Sequence, residues 1–517
     1  MEKIYVNAEK PIKKVKNFWN HIHFHPTDAI EDLWGQKILD SASKDSAAKM
    51  VRMYAMLEDA VSEDENGNLI YDFTDTDIRI DYMVSKGFKL LICMNFLPRA
   101  IAKDKNIVSA NQRYKGKHIY TSVPSDYRLW QEICEKYVSH LVERYGEKLV
   151  SSWYFHCWNE PNCSGYWMSD CEDWEEVTNE YLKLYDFFAE GVKKVSSKIR
   201  IGGPSAAFAL LTSAPRTDEY GKLIDTMFLK KFFNHIKDGI NFANGKKGTA
   251  FDFYTVHTYG DFEDNMKTGI FDPKECTDML INYRRLADDF GFKGIEMISD
   301  EWDICGGGWL TVDEYPKLNY RNNEIFSSHY FAMIDDILKK DIDVSAFMIC
   351  LSGQHDLTKD FAGTRTLATK SGFKLPIYNA YALSAMLGQT ILESSCDKNV
   401  KVIPTLCENG DIAVAIFNYS KNTAKRNGTI NINLKVKLPY GEYRVFHYRI
   451  DKNNCNSYSA WTELGQPEYP TQNEAEVINK AAILKKWYED EEIKGDEYSL
   501  DIQMSDYSVS LLKLKKK

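Results

Sequence analysis

The sequence predicts an α/β fold, a (β/α)8 TIM barrel followed by a C-terminal β-sandwich. Three observations carry that expectation. Eight short apolar runs alternate with longer helix-like stretches over roughly residues 15–385, the order a closed parallel barrel requires. The pattern then changes to strict alternation, as in 411–420 and 429–440, which marks half-buried antiparallel strands. The competing open doubly wound sheet has no motif behind it. Neither G-x-G-x-x-G after the first strand nor G-x-x-x-x-G-K-[ST] occurs, so no dinucleotide or P-loop site is expected.

The barrel strands are expected at 18–24, 50–56, 88–95, 153–160, 199–204, 251–259, 295–301 and 344–350. In 75–87, Asp75 or Asp77 is expected to cap a helix and Gly87 to end it. In 175–197, Val177, Tyr181, Leu184, Phe188, Val192 and Val195 recur at three and four residues, one apolar helix face. Gly202-Gly203 reads as a tight exit from the fifth strand. Gly306-Gly307-Gly308 reads as a flexible loop after the seventh. Further on, 441–450 and 507–515 are strand-like, and Asn409-Gly410 is a hairpin signal. The stretch from Thr462 reads as a long excursion with a short helix. The expected division places a catalytic barrel at 15–388. Residues 389–517, joined by 1–14, form the accessory sandwich.

The chain has 517 residues, 44% hydrophobic and 27% charged, a globular composition. Its net charge of −10 argues against a nucleic-acid partner, which selects for a basic face. No apolar run approaches the ~20 residues that span a bilayer, and MEKIYVNAEKPIKK lacks an apolar secretory core. No membrane partner is expected. The 11 cysteines have no metal-like spacing, and Cys93, Cys157 and Cys350 sit in apolar runs. They read as buried thiols in a reducing, cytoplasmic setting. A homo-oligomer stays open. Aromatic residues make up 13%, enough for ligand-cleft walls as well as core.

Barrel chemistry sits at the C-terminal ends of the strands. There the fourth strand ends Trp158-Asn159-Glu160-Pro161, the sixth His257-Thr258-Tyr259, and the seventh Ser299-Asp300-Glu301-Trp302-Asp303. The third ends at Asn95, and the second carries Arg52 and Tyr54. Glu160 and Glu301 would face each other across the mouth, as a glycosidase needs. One carboxylic acid protonates the leaving oxygen, and the other attacks the anomeric carbon or activates water. Taken singly, a glutamate after a strand also fits a surface or helix-cap position. The bracketing Trp158 and Pro161 make the first pair the sharper signal. Glu296, Asp300 and Asp303 compete with Glu301. Glu296 is expected on the helix-facing side, and Asp300 points away from the barrel if the strand stays regular. His21, His23 and His25 form H-x-H-x-H on the first strand, open to metal, substrate or packing roles. Proton transfer and carboxylate attack supply the whole reaction, so no cofactor or metal is expected.

These stretches, with Ile201-Gly202-Gly203-Pro204 and 252–259, resemble glycoside hydrolase family 39, which contains β-D-xylosidases and α-L-iduronidases. The resemblance runs from about Phe18 to the C-terminus and includes GQPEYP at 465–470. It implies a retaining mechanism with Glu160 as acid/base and Glu301 as nucleophile. It also implies that Asn159 holds the sugar's 2-hydroxyl and that His257 and Tyr259 line the pocket. Tyr54, His23, Trp302 and Trp309 are further expected substrate contacts. The second domain and 373–388 look like the xylosidases. The stretches 238–257, 299–309 and 361–367 look closer to the iduronidases, whose arginine holds the substrate carboxylate. Arg365 stands in that position, unless Asp356, Asp360 or another acid neutralises it. The expected substrate is a short oligosaccharide or glycoside, first a β-D-xyloside. An α-L-iduronide, another uronide or an arabinoside is the alternative, and a non-catalytic carbohydrate-binding protein is the reading from another class.

Overall fold

The computed structural model describes residues 1–25, 30–114, 117–207, 227–354, 357–425, 428–487 and 490–517. An N-terminal strand, β1 (Glu2–Lys14), precedes the barrel. The barrel strands are β2 (His21–His25), β3 (Met50–Tyr54), β6 (Lys89–Met94), β9 (Tyr154–Cys157), β10 (Arg200–Ala206), β11 (Phe253–Tyr259), β12 (Glu296–Asp303) and β13 (Ala346–Ser352). They run parallel in chain order and close where β13 pairs with β2. Two ribbons decorate the loops, β4 (Val61–Glu63) with β5 (Leu69–Tyr71) and β7 (Val108–Tyr114) with β8 (Lys117–Tyr120). All eight expected barrel strands are present.

Met50, Leu91, Tyr154, Phe253, Ile298, Ala346 and Met348 fill the lower half of the barrel. They come from the first residues of their strands, in the layered packing that makes such a barrel a core and not a pore. Polar side chains therefore gather above this plug, at the strands' C-terminal ends. Outside, the helix Trp174–Val195 buries Val177, Tyr181, Leu184, Phe188 and Val192, the face its spacing predicts. The Asp173 side chain accepts from the Glu175 and Glu176 amides at its start, and Lys193 and Lys194 occupy its last turn, matching the helix dipole.

Three local expectations are corrected. Asp75 and Asp77 do not cap the helix Thr74–Ser85. They lie in its first turn, and the cap residue is Phe73. Gly87 does follow that helix, in left-handed backbone at φ 76°. Gly202-Gly203 is not a strand exit but part of β10, where a Cβ on Gly202 would lie 2.2 Å from the Phe253 carbonyl oxygen. Glycine thus lets β10 and β11 approach. The Gly306–Gly308 loop is held, since the buried Arg321 guanidinium donates to the carbonyls of Cys305 (3.0 Å), Gly306 (3.1 Å) and Gly307 (3.1 Å).

The sandwich comprises β1 with β14 (Thr390–Cys396), β15 (Lys401–Leu406), β16 (Ile412–Phe417), β17 (Ile430–Ile450), β18 (Glu491–Met504) and β19 (Val509–Lys516). The Asn409-Gly410 turn joins β15 to β16, with Gly410 at φ 85° and the Cys407 amide donating to the Asp411 carbonyl. β17 unites the two strands expected at 429–440 and 441–450. Its first half pairs parallel with β1 and its second half antiparallel with β19. The sheet therefore folds over a core that includes Ile4, Val6, Val402, Val414, Ile432, Val436 and Leu512. The stretch from Thr462 carries the expected helix, Gln472–Ala482, and is preceded by another, Ser457–Glu463. Trp461 of the latter packs on Phe361 of a barrel loop, ring centroids 4.7 Å apart.

Candidate active site

The site begins with a break in β12. Val256 lies opposite Ser299, but the next residue, His257, lies opposite Glu301. Asp300 is the extra residue, a bulge that shifts the strand's parity. Below it, Ile298 faces the barrel interior with the plug. Above it, Glu301 and Asp303 take the places of the inward residues beside His257 and Tyr259. Two expectations are corrected by this one feature. Asp300 enters the barrel, where the Ser205 hydroxyl donates to it at 2.7 Å. Glu296 lies on the inner side near the plug, accepting from the Tyr154 hydroxyl at 2.6 Å.

Parity also moves Trp302 out of the mouth. It is fully buried between barrel and helix, against Phe347 (4.6 Å) and Tyr330 (5.8 Å). The expected substrate contact is a packing residue.

Glu160 follows β9 in a tight turn. Trp158 and Glu160 both adopt left-handed backbone, at φ 66° and 45°, a conformation that costs energy for non-glycine residues. The Trp158 ring anchors the turn between Trp130, Trp167 and Phe96, and its Nε1 donates to the Tyr166 carbonyl at 3.1 Å.

The expected groups converge on the two glutamates. His257 Nδ1 donates to Glu160 Oε1 at 2.6 Å. The Tyr259 hydroxyl donates to Glu301 Oε2. Arg52 Nη1 donates to Glu301 Oε1 at 2.5 Å and its Nη2 to Asn159 Oδ1 at 2.6 Å. His23 Nδ1 lies 3.3 Å from Glu301 Oε1. One oxygen of Glu160, one of Glu301 and a nitrogen of His257 all lie within 4.8 Å of one another. Such a trio resembles a metal site, but the Arg52 guanidinium already supplies the cation at Glu301. A second acidic group, Glu31, Asp59 and Asp75, is served likewise by Arg79, which bonds Glu31 and Asp59.

Burial raises the Glu160 pKa and repulsion by Glu301 adds to the rise, against the opposing pull of His257 and Arg52. Burial acts the same way on Glu301, yet His257, Arg52 and His23 together hold it well below the usual carboxylate range. His257 is pushed up to about 10 despite its burial, chiefly by Glu301 and Asp300. The surroundings therefore push the two carboxyl groups' pKa values apart, Glu160 upward and Glu301 downward.

Tyr54 stands at the wall, edge-on to Phe96 at 5.3 Å and 5.2 Å from the His23 ring. Arg365 Nε donates to the Cys350 carbonyl at 2.5 Å, and its Cζ lies 4.8 Å from the Tyr259 ring centroid. Its Nη1 has no hydrogen-bond partner and lies 3.8 Å from Asp303, whose nearer cation is Arg321 at 2.8 Å. Asp360 is engaged elsewhere, by the Ser371 amide, and Asp356 lies outside the described residues. Trp309 is 43% exposed at the end of the glycine loop. His21 sits a layer below His23 with Nε2 3.1 Å from the Asn17 carbonyl, and the His25 side chain lies outside the described residues.

The family model for glycosyl hydrolases family 39 matches residues 2–489. The chain belongs to this family. A β-xylosidase of Caldicellulosiruptor saccharolyticus is 25% identical over 534 residues, covering 99% of this chain and 98% of that protein. An α-L-iduronidase of Mus musculus is 22% identical over 510 residues, covering 90% of this chain and 74% of the relative. The crystal structure of a monomeric β-xylosidase from Caulobacter crescentus CB15 superposes with a TM-score of 0.79 over the full length of both chains at 19% identity, so the fold is shared. As a family 39 member, the protein is an O-glycoside hydrolase with a carbohydrate substrate. Among the described residues, no helix is long and apolar enough to cross a membrane.

Sequence reasoning left two groups of this family 39 site unplaced, His156 and Ser205, and turned a third, Asp300, away from the barrel. Inward parity with Tyr154 on β9 would have found His156. Ser205 and Asp300 depended on strand irregularities that no residue pattern announces.

Proposed function

We propose that this family 39 enzyme is a retaining, exo-acting β-D-xylosidase that cleaves short oligosaccharides or glycosides by double displacement. The observation that carries the reading is the carboxylate pair, with oxygens of Glu160 and Glu301 within 4.8 Å. Retaining enzymes hold the two carboxyl groups about 5–5.5 Å apart, whereas inverting ones leave about 6.5–9.5 Å for water. In this reading protonated Glu160 gives its proton to the leaving oxygen while ionised Glu301 attacks the anomeric carbon. Glu160, now a carboxylate, then takes a proton from the water that releases the sugar. Arg52 and Tyr259 hold Glu301 ionised and aimed. Arg52 also occupies Asn159 Oδ1 and leaves the unpartnered Asn159 Nδ2 as donor to the 2-hydroxyl. Exposures of 8% for Glu160 and 5% for Glu301 suit a pocket for a terminal sugar.

The xylosidase relative is 25% identical over 99% of this chain, against 22% over 90% for the iduronidase, which favours a xyloside. The second reading is an α-L-iduronide or other uronide. Arg365 Nη1 favours it, as a buried guanidinium nitrogen without a hydrogen-bond partner beside Tyr259. We also assign the catalytic barrel to 15–388 and the sandwich to 1–14 with 389–517, since β1 ends at Lys14 and β14 begins at Thr390. Eleven free, mostly buried cysteines support a cytoplasmic setting.

The test is turnover of aryl β-D-xyloside, α-L-iduronide, α-L-arabinoside, β-D-glucoside and β-D-glucuronide, with the first product's anomer read by NMR. Retention and xyloside preference are expected. Inversion would refute the mechanism, and no turnover at all would point to carbohydrate binding without catalysis. Glu160→Ala should slow poor leaving groups far more than activated aryl ones, and azide should restore its turnover. Equal losses without an azide product would show that Glu160 is not the acid.

A further inference from the structure

One buried carboxylate beside Glu301 takes part in neither displacement. Asp300 has no exposed surface. Its Oδ2 accepts from the Ser205 hydroxyl at 2.7 Å and lies 2.9 Å from Arg52 Nε, 3.7 Å from His257 Nε2 and 3.8 Å from His156 Nε2. Only the β12 bulge brings it there. Ser205 in turn lies 2.9 Å from both Thr255 Oγ1 and His156 Nδ1. The carboxylate is therefore tied to β3, β9, β10 and β11 at one level of the barrel.

The consequence falls on Arg52. A guanidinium is a rigid planar fork, so fixing Nε also fixes where both Nη atoms point. Asp300 Oδ2 lies 2.9 Å from Nε, whose N–H donates to His156 Nε2 at 3.1 Å, while Glu301 stands at Nη1 and Asn159 at Nη2. Without the charge at Nε, Arg52 would have one anion to face instead of two, and the fork would turn toward Glu301. The Nη2 contact that orients the Asn159 amide would go with it.

We propose that Asp300 is a positioning residue that holds Arg52 so that Glu301 faces the anomeric carbon and Asn159 Nδ2 faces the sugar's 2-hydroxyl. The proposal rests on the reading of Glu301 as nucleophile. It gives the bulge a purpose, since a regular strand could place Asp300 or Glu301 inside the barrel, but not both.

The experiment compares Asp300→Asn, Ser205→Ala and Glu301→Gly in the full chain. It measures kcat and KM on an aryl glycoside that the parent cleaves, and the rate of covalent inactivation by the corresponding 2-deoxy-2-fluoro glycoside. A displacement of about 1 Å costs on the order of 100-fold. Asp300→Asn is expected to lower kcat and the inactivation rate by about that factor, with KM within about threefold. Ser205→Ala, which loosens Asp300 without touching Arg52, should lower kcat by roughly tenfold. A folded Asp300→Asn enzyme with parental kcat and inactivation rate would overturn the proposal, as would a change confined to KM. If Asp300→Asn does not fold, parental kcat in Ser205→Ala overturns it. Glu301→Gly separates this from the underlying reading. Full activity in that variant refutes the nucleophile assignment. Lost activity restored by azide, beside a normal Asp300→Asn, refutes only the role of Asp300.

Discussion

Glu160 and Glu301 are chemically identical side chains in settings that push them apart. Burial acts on both, but Glu301 also has the Arg52 guanidinium at 2.5 Å and the His23 ring at 3.3 Å. In the proposed mechanism Glu301 must be ionised and Glu160 protonated, so the active window would open as Glu301 loses its proton and close as Glu160 does. The lowered Glu301 and raised Glu160 widen that window at both ends. His257 faces both carboxylates as a cation and pulls both pKa values down. His257→Gln should therefore move both limbs of the kcat/KM profile to higher pH, and an unmoved profile would show that His257 is neutral in the working enzyme. Arg365 offers the sharper test of substrate. If it meets a uronate carboxylate, the pair is charge-assisted and buried. Arg365→Ala should then cost roughly 2–4 kcal/mol in transition-state binding on an aryl α-L-iduronide and little on an aryl β-D-xyloside. Parallel kcat/KM measurements decide it, and an equal loss on both substrates would reduce Arg365 to a wall residue.

At the scale of elements, function hangs on places where regular structure gives way. The bulge in β12 decides which of 300–303 point inward, and the left-handed turn after β9 presents Glu160. The glycine loop after β12 works by absence of side chain. A Cβ on Gly308 would fall 2.6 Å from the Arg365 guanidinium, while the Gly308 carbonyl accepts from the Arg365 amide at 2.7 Å. The two segments are thus fitted to each other. If Arg365 meets a uronate carboxylate, Gly308→Ala should displace the guanidinium and lower kcat/KM on an aryl α-L-iduronide by about tenfold, with the melting temperature falling only a few degrees, since overpacking of one methyl costs about 1–3 kcal/mol. Parental kinetics would show that the guanidinium moves aside freely and sets nothing.

At the scale of the molecule, the chain's two ends meet in one sheet. β1 pairs with β14 and β17, so the sandwich is complete only after the whole barrel has been made. Barrel and sandwich then share buried contacts, among them His329 stacked on Tyr507 and Asn456 bonded to Glu324 at 2.8 Å. Burial lowers His329 to about 4, and His21 beneath the barrel also to about 4. In the unfolded chain both would titrate near 6.5. As pH falls from about 6.5 to 4, the unfolded state binds protons that the folded state refuses, and stability is lost through that window. Each histidine contributes on the order of 3 kcal/mol. Melting temperature should fall steadily across this range, before the low-pKa carboxylates Asp300 and Glu301 begin to protonate. A flat profile from pH 6.5 to 4.5 would contradict the burial of these two imidazoles.

The barrel was legible in the sequence because its signal is local and repeated. Each strand is an apolar run long enough to be buried on both faces, and each helix shows its own period. Glu160 and Glu301 were legible because polar residues end those runs at the mouth. Trp302, Glu296 and Asp300 were misplaced for a common reason. Their facing follows from counting residues along a strand, and one bulge, set by pairing with β11 and β13, inverts the count. The joining of 429–440 and 441–450 into β17 likewise depends on partners, β1 from the far end of the chain and β19. The residue types needed for glycoside cleavage are thus a property of the sequence. Which of them share the pocket, and with what charge, was decided only by the tertiary structure, because parity, burial and Coulomb contact are made between strands that are distant along the chain.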